Sequence, residues 1–342
     1  MAIVASPVKP VRTDSTPLES WRQAMKSAIR DGVQLCRYLD LPKHYEAAAT
    51  RAERAFPVFV PLSFAAKMHR GDPHDPLLRQ VLPLDEELHI PAGFLTDPVG
   101  EAAASIHPGL LQKYSGRVLL VTTGACAIHC RYCFRRHYPY AESPPSVSAW
   151  EPALRRIAED RSVEEVLLSG GDPLTLVDPI LGELADRLAA IAHLRRLRIH
   201  TRLPIVIPER VTVELLRWLR ASRLTCVVVV HANHPAELDE PVAEALSRFV
   251  DAGIPVLNQT VLLRGVNDDA PTLVELSRRL VGLRVIPYYL HQLDRVNGAA
   301  HFEVPIERGV RLIEQLRHKL PGYAVPRYVQ EVPGEPNKRV LA

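Results

Sequence analysis

Three cysteines between residues 126 and 133 have the spacing of a metal site. Cys126, Cys130 and Cys133 follow the pattern C-x3-C-x2-C. Three thiolates can hold three irons of a cubane [4Fe–4S] cluster and leave the fourth iron open to another ligand. A structural zinc ion with His129 or His137 as its fourth ligand satisfies the same spacing. The motif alone therefore predicts a metal site of one of these two kinds.

Short polar segments after apolar runs supply further candidate binding groups. They contain Ser169, Gly170, Gly171 and Asp172, then His231, and then Gln259. Adjacent glycines let the backbone approach a ligand where a Cβ atom would clash, although a plain strand-to-helix turn has the same composition. The histidine and the glutamine can equally be satisfied polar groups of the core.

Six β-rich runs begin at Arg117 and alternate with helical stretches. Strands are predicted over 117–122, 165–169, 197–201, 225–231, 256–263 and 285–291, and helices over 178–194, 211–221, 241–252 and 271–281. A repeat of roughly 30 residues of this kind requires parallel strands joined by right-handed crossovers. Six units are too few for a closed eight-stranded barrel. We therefore expect an α/β fold, a partial (β/α)6 barrel with its site at the strand C-termini.

The rest of the chain divides into three further segments. Residues 1–18 are rich in Pro, Ser and Thr and are predicted to form a loose arm. Residues 19–115 are expected to form a helical extension, with one amphipathic helix over 21–39 followed by short helices and turns without an independent sheet. The barrel is assigned to 116–300 and a C-terminal segment to 301–342.

The composition narrows the class of protein. The formal net charge is +3, and acidic and basic residues are interspersed, which argues against wholesale nucleic-acid binding. No apolar run approaches the roughly 18 residues of a membrane span, and the first residues lack a signal-peptide pattern. Five cysteines, an odd number, fit a reducing compartment better than a disulfide framework. We expect a cytoplasmic protein.

Five segments together resemble the radical S-adenosylmethionine (radical SAM) lysine 2,3-aminomutases, from about residue 20 onward. They are residues 70–81, the cysteine loop, 167–174, 258–268 and 294–302. The resemblance implies an isomerase, an intramolecular aminotransferase acting on L-lysine. It further implies that the three cysteines hold a [4Fe–4S] cluster whose open iron binds S-adenosylmethionine. Residues implied to contact that cofactor are Ser169, Gly170, Gly171, Asp172, His231 and Gln259.

The C-terminal segment 323–338 resembles the pyridoxal phosphate segment of the same family. The resemblance implies that Lys338 attaches the coenzyme, although a lysine so near the end would otherwise be taken for a solvated tail. It also implies that Lys113 and Arg117 bind the phosphate and the phenolic oxygen of pyridoxal phosphate. Lys113 departs from the arginine usual at its position.

Three charged residues occupy the substrate positions of the family. The resemblance implies that Arg135 grips the lysine carboxylate, with bidentate geometry. It implies that Asp294 and Glu331 hold the ε-ammonium group, since two carboxylates select for a cation. Glu331 replaces an aspartate and is one methylene longer.

Two departures from the longer lysine enzymes indicate a subfamily. The sequence stops four residues after Lys338, and Asp269 stands where those enzymes carry a zinc-binding cysteine. Such a chain resembles the short aminomutases that make (R)-β-lysine for the modification of elongation factor P. The resemblance implies L-lysine as substrate, a flavodoxin or ferredoxin as reductant, and a functional link to elongation factor P and its lysine ligase.

Two alternatives stand beside this interpretation. The first is an aminomutase of free-lysine metabolism that has no connection with translation. The second is a zinc-stabilised binding module built from the three cysteines and the basic residues Arg131, Arg135 and Arg136. The binding module leaves Lys338 and Asp294 unexplained.

Overall fold

The computed structural model describes residues 20–142 and 148–342, so the predicted arm lies almost wholly outside the described residues. The chain forms one ten-stranded sheet whose strands are ordered as they follow in sequence. The strands are β1 (Ser105–His107), β2 (Leu110–Tyr114), β3 (Arg117–Thr123), β4 (Glu165–Gly170), β5 (Arg196–Thr201), β6 (Thr225–Val230), β7 (Val256–Val261), β8 (Ile286–His291), β9 (Arg327–Gln330) and β10 (Arg339–Val340).

The sheet is parallel in its centre and antiparallel at both ends. Strands β3 to β9 pair in parallel, whereas β1 and β2 extend the sheet beside β3 and β10 pairs antiparallel with β9. The two edge strands β1 and β10 do not close the sheet onto itself. The predicted α/β partial barrel is therefore confirmed, with each of the six predicted strands present.

Twelve α-helices accompany the sheet in the described residues. They are α1 (Ser20–Lys26), α2 (Gly32–Tyr38), α3 (His44–Ala52), α4 (Leu62–Ala65), α5 (Pro76–Arg79), α6 (Glu151–Glu159), α7 (Asp178–Ala189), α8 (Leu203–Val206), α9 (Val213–Ala221), α10 (Glu240–Asp251), α11 (Ala270–Gly282) and α12 (Ile306–Lys319). Side-chain caps begin several of the barrel helices: Thr212, Asp239 and Asp269 each accept a backbone N–H of the first turn. A cap of this kind contributes about 1 kcal/mol.

The prediction of one continuous helix over 21–39 is wrong. The chain leaves helix α1 and pairs the backbone of Ile29 with that of Val60 through two hydrogen bonds of 2.8 and 2.9 Å. Asp31 then caps α2 by accepting the N–H of Gln34 at 2.7 Å. Apolar periodicity runs through both helices, but it carries no information about a partner thirty residues away.

Two strands also lie in a stretch that was expected to hold only helices and turns. Strands β1 and β2 fall within residues 105–114, and β2 hydrogen-bonds to β3. They form no independent sheet, as predicted, because they extend the barrel sheet. The proposed boundary between the N-terminal extension and the barrel stays a prediction.

Side-chain alternation separates the two faces of the sheet. In β5, Leu197 and Ile199 are fully buried in the main core, together with Trp21 and Leu35 of the N-terminal helices. Arg198 and His200 point the other way, since successive residues of a strand face opposite sides, and both line a cavity. The apolar face packs under the helices, and the polar face encloses the site.

Among the described residues, none of the helices combines the length and apolar character that crossing a bilayer requires.

Candidate active site

A cavity of about 520 Å³ lies on the polar face of the sheet. Its walls come from β2 to β5, from β7 to β10, from the segment after β6, from the cysteine loop after β3 and from the segment around residue 338. Every site residue expected from the sequence lines it: Lys113, Arg117, Cys126, Cys130, Cys133, Arg135, Ser169, Gly170, Gly171, Asp172, His231, Gln259, Asp294, Glu331 and Lys338. Residues more than two hundred positions apart in the chain thus share one cavity.

The two adjacent glycines bring the end of β4 against the cysteine loop. The Gly171 N–H donates to the carbonyl of Thr123 at 2.7 Å, and the Asp172 N–H donates to the carbonyl of Ala125 at 2.7 Å. A Cβ at Gly171 would lie 2.2 Å from the Ala125 oxygen, and Gly170 has a φ of +118°. Gly171 excludes a side chain because it contacts the cysteine loop. Gly170 excludes one because of its positive φ and because a Cβ there would lie 2.6 Å from the Thr123 oxygen of β3.

The Asp172 side chain stabilises the end of β4 through hydrogen bonds. Its carboxylate is buried and accepts hydrogen bonds from the Thr201 hydroxyl at 2.7 Å and from three backbone N–H groups, those of Leu174, Arg202 and Leu203. Burial raises the pKa of this carboxyl, and the four hydrogen bonds oppose that rise. The side chain therefore joins the ends of β4 and β5.

The three thiols are free and close to one another. Burial raises the pKa of Cys133 to about 11, with the neighbouring Cys130 adding to the rise. Burial, followed by the proximity of Cys133, also raises the pKa of Cys126. Thiols of this kind ionise when a metal displaces their protons. Three thiols on one loop, facing a cavity, suit a cubane cluster with one open iron.

The two histidines that could complete a zinc site are held elsewhere. Nδ1 of His129 is 2.9 Å from the carbonyl of Pro57, and its ring packs between Phe56 and Phe59. Nε2 of His137 is 3.2 Å from the carbonyl of Asn297. Across residues 20–142 and 148–342, no three His, Cys, Asp or Glu side chains are arranged to hold a single metal ion.

Arg135 is engaged by a carboxylate that the sequence analysis missed. Its Nε and Nη2 donate to Glu101 at 2.8 and 2.6 Å, and its Nη1 donates to the Ser169 hydroxyl at 2.8 Å. Burial acts to lower the pKa of Arg135, but the charge of Glu101, its hydrogen bonds and the nearby Tyr140 and Cys133 together raise that pKa. The ion pair fixes the plane of the guanidinium and leaves Nη1 beside the glycine segment.

Lys338 lies at the cavity because the strand that follows it, β10, pairs with β9 of the sheet. Pairing of Arg339 with Gln330 places the preceding residue beside Glu331, and the Lys338 ammonium donates to that carboxylate. Glu331 also accepts the Tyr114 hydroxyl at 2.7 Å and lies 3.5 Å from Lys113 Nζ. Burial acts to raise the pKa of Glu331, but Lys338 and the hydrogen bonds lower it below its usual value.

Two other charged groups adjoin this cluster. Asp294 faces the same end of the cavity, where burial raises its pKa to about 7 against the opposing charge of Lys338. The Arg117 guanidinium lies over the ring of Tyr114 at 4.6 Å, and Lys113 donates to the carbonyl of Val99 at 2.8 Å. Lys338 therefore lies near the carboxylates of Glu331 and Asp294, and Lys113 lies beside Glu331.

Three half-buried histidines have a buried ring nitrogen without a hydrogen-bond partner in the described structure. These are Nε2 of His200, His231 and His291, and all three residues line the cavity. Burial lowers the pKa of each of them, that of His231 to about 4, so the imidazoles are neutral. Sequence reasoning found His231 only. The other two lie in predicted strands at positions that alternate with apolar residues, a signal that could have found them.

An open barrel with a three-cysteine loop after its first parallel strand defines a class of enzyme. Residues 120–276 match the sequence model of the Radical SAM superfamily, so this is a radical SAM protein. The L-lysine 2,3-aminomutase of Haemophilus influenzae is 44% identical over 324 residues, covering 95% of this chain and 96% of that protein. The L-lysine 2,3-aminomutase of Escherichia coli is also 44% identical, covering 94% of each chain. The chain belongs to the L-lysine 2,3-aminomutase family and is an isomerase.

Other similarities are more distant. The L-lysine 2,3-aminomutase of Clostridium subterminale is 36% identical over 315 residues, covering 92% of this chain and 76% of that protein. A solved structure of Streptococcus suis SuiB aligns with a TM-score of 0.49 at 14% identity, over 65% of this chain and 50% of that one. Membership of the family implies a [4Fe–4S] cluster, S-adenosylmethionine and pyridoxal phosphate as cofactors.

Proposed function

We propose that this enzyme is a pyridoxal phosphate-dependent L-lysine 2,3-aminomutase of the EpmB type. It converts L-α-lysine to (R)-β-lysine for the post-translational modification of elongation factor P. One observation carries the proposal: a single cavity is lined by the three thiols, by Lys338 and by the carboxylates of Asp294 and Glu331. This combination matches a radical source, a coenzyme lysine and a site for a cationic amino acid.

The residues divide into three groups by their chemistry. Cys126, Cys130 and Cys133 hold the cluster. Ser169 to Asp172, His231 and Gln259 surround S-adenosylmethionine, for which the orphan Nε2 of His231 is a free hydrogen-bonding group. When bound, these cofactors supply a carbon radical that removes hydrogen from lysine, and pyridoxal phosphate supplies a π-system that delocalises the unpaired electron. The chain itself positions the reactants and excludes water.

Lys338 and Glu331 have separate roles in this proposal. The Lys338 ammonium pairs with Glu331 in the described structure. Lys338 would hold pyridoxal phosphate through Nζ, and Glu331 together with Asp294 would accept the ε-ammonium group of the substrate. Lys113 and Arg117, on β2 and β3, supply positive charge for the phosphate and the phenolic oxygen.

Arg135 binds the substrate carboxylate through one edge of its guanidinium. Glu101 occupies Nε and Nη2, while Nη1 donates to the Ser169 hydroxyl and, at 3.4 Å, to the Gly170 carbonyl. A substrate carboxylate would replace the Nη1 contacts and leave the ion pair with Glu101 intact. We therefore propose that the contact uses Nη1, in place of the bidentate fork expected from the sequence. Glu101 orients the guanidinium in this arrangement.

The link to elongation factor P rests on sequence features. The segment 294–302 resembles the lysine 2,3-aminomutases, and Asp269 stands where the longer enzymes of that family carry a zinc-binding cysteine. Asp269 caps α11 by accepting the Thr272 N–H at 2.9 Å, so this position has a structural role that needs no zinc. The electron donor proposed for the cluster is a flavodoxin or a ferredoxin.

Anaerobic reconstitution tests this function. The protein is loaded with iron and sulfide and incubated with dithionite, S-adenosylmethionine, pyridoxal phosphate and L-lysine. We expect β-lysine and 5′-deoxyadenosine, and we expect the β-lysine to be transferred to elongation factor P by its lysine ligase. A zinc-only protein that makes neither product would contradict the whole proposal. Formation of β-lysine that the ligase does not use would contradict the link to translation and favour free-lysine metabolism.

The buried carboxyl of Asp294 predicts a pH dependence. Its pKa of about 7 leaves it protonated and neutral below that pH, where it cannot pair with the ε-ammonium group. We expect kcat/KM for L-lysine to fall below pH 7, by about tenfold per pH unit, as for a single ionisation. The charges of Lys338 and Lys113 lower the pKa of Asp294, and the charges of Glu331 and Glu101 raise it.

Two variants assign the ionisation. Asp294→Asn should lower kcat/KM and remove the pH limb near 7. Glu331→Gln should also lower kcat/KM but retain the limb, displaced to lower pH, because the charge of Glu331 contributes to the raised pKa of Asp294. Steady-state kinetics between pH 6 and 9 measure both. Retention of the limb in Asp294→Asn would show that another group titrates.

A further inference from the structure

A buried arginine contacts one of the three cysteines of the loop. Nη1 of Arg202 donates to the Sγ of Cys130 at 2.8 Å. Arg202 follows directly after β5 and is 5% exposed. It lines the same cavity as the cysteines, and 72 residues separate it from Cys130 in the chain. Nothing in the proposed function above uses this side chain.

The guanidinium is held in place by several neighbours. Its Nη1 also donates to the Tyr132 hydroxyl at 2.8 Å, and its Nη2 donates to Gln80 Oε1 at 2.6 Å and to Glu237 Oε2 at 2.9 Å. The backbone N–H of Arg202 donates to Asp172 at 2.7 Å. A side chain with this many partners cannot turn away from the sulfur without breaking buried hydrogen bonds.

Its partners are themselves connected to the barrel. Glu237 is fully buried, and its Oε1 accepts the backbone N–H of Asn233 at 2.9 Å. The Asn233 side-chain amide donates to the Tyr132 hydroxyl at 2.6 Å and to Gln80 at 3.0 Å. The network connects the ends of β5 and β6 with the N-terminal extension. It holds Nη1 of Arg202 against Cys130 of the cysteine loop.

We propose that Arg202 is a positioning residue that tunes the iron–sulfur cluster. It donates a hydrogen bond to the ligating sulfur of Cys130 and thereby favours the reduced state of the cluster. This inference rests on the proposed function, because it requires Cys130 to be a cluster ligand. Hydrogen bonds to cluster sulfurs and nearby charge are among the factors that set reduction potentials.

The physical reason lies in the charge that reduction adds. One electron from a low-potential donor converts the cluster from the 2+ to the 1+ state, and no bond forms or breaks. The extra negative charge is shared with the thiolate sulfurs, where an N–H donor and a guanidinium charge stabilise it. Glu237 partly offsets that charge from the far side of Arg202. Removing the arginine and removing the glutamate should therefore shift the potential in opposite directions.

The test is a redox titration of the reconstituted cluster, followed by electron paramagnetic resonance in the absence of S-adenosylmethionine. We expect Arg202→Gln to lower the reduced-to-oxidised ratio at a fixed potential by at least tenfold, which is about 59 mV for a one-electron couple. Arg202→Lys keeps the charge and should shift the potential less. Glu237→Gln should shift it in the positive direction.

Arg210 offers a matched control. It is also fully buried, and its Nη2 is 2.9 Å from Asp178, the same distance as between Arg202 and Glu237. Its other partners are the carbonyls of Leu174 and Leu176. Arg210→Gln should lower stability and leave the potential of the cluster unchanged.

The outcomes separate this inference from the proposed function. A wild-type protein that holds no [4Fe–4S] cluster would overturn both. A wild-type protein that makes β-lysine, with potentials that are equal in Arg202→Gln, Arg210→Gln and the wild type, would overturn the inference alone. If Arg202→Gln fails to retain the cluster, Arg202→Lys and Glu237→Gln decide, and shifts of the same sign in both would refute a tuning role.

Discussion

Replacement of Lys338 by alanine should abolish β-lysine formation while leaving the cluster intact. The proposed role of Lys338 is to attach pyridoxal phosphate at the end of the cavity that also contains Asp294 and Glu331. A coenzyme supplied from solution loses the effective molarity of an attached one, so we expect a loss on the order of 10⁵-fold. Chromatographic assay of β-lysine measures this loss.

The same variant should keep its iron. Lys338 is carried by the pairing of β9 with β10, whereas the cysteines belong to the loop after β3. We expect the iron–sulfur absorbance of Lys338→Ala to equal that of the wild type and the pyridoxal phosphate absorbance to be lost. Arg339→Ala is a suitable control, because Arg339 is the next residue, is exposed and pairs with Glu335. Substantial β-lysine formation by Lys338→Ala would contradict the assignment.

Replacement of Cys130 by alanine should remove both products. Two remaining thiolates cannot hold three irons, and the cluster is the proposed source of the electron that cleaves S-adenosylmethionine. We expect the iron content to fall to background and neither β-lysine nor 5′-deoxyadenosine to form. Iron analysis, absorbance and product assay measure the three quantities on one preparation.

A buried cysteine outside the loop is the control for this experiment. Cys226 lies on β6 and is 6% exposed, so Cys226→Ala tests the loss of a buried thiol without loss of a proposed ligand. It should retain iron and activity and lose some stability, since truncating a core side chain leaves a small cavity. A Cys130→Ala protein that retains a full cluster would show that another residue holds the iron.

Local patterns were sufficient for much of the fold. Each of the six predicted strands is present, because short β-rich runs, in which apolar residues face the core and several polar residues face the cavity, are visible in the sequence directly. The parts that were missed depend on a distant partner: β1 and β2 require β3, and the break before α2 requires Val60. Strands β9 and β10 are short, at four and two residues. They are strands only because they pair with each other and, for β9, with β8.

The sequence by itself determined which chemically reactive groups this protein carries. The spacing of the three cysteines and the βα repeat are local properties, and they predicted a metal site and a partial barrel. Only the tertiary structure decided what each charged group meets. Glu101 fixes Arg135 across 34 residues, and Arg202 reaches Cys130 across 72. Gly171 contacts Ala125 of the cysteine loop because β3 and β4 are neighbours. Such contacts depend on the packing of separate elements, which no local pattern of residue types encodes.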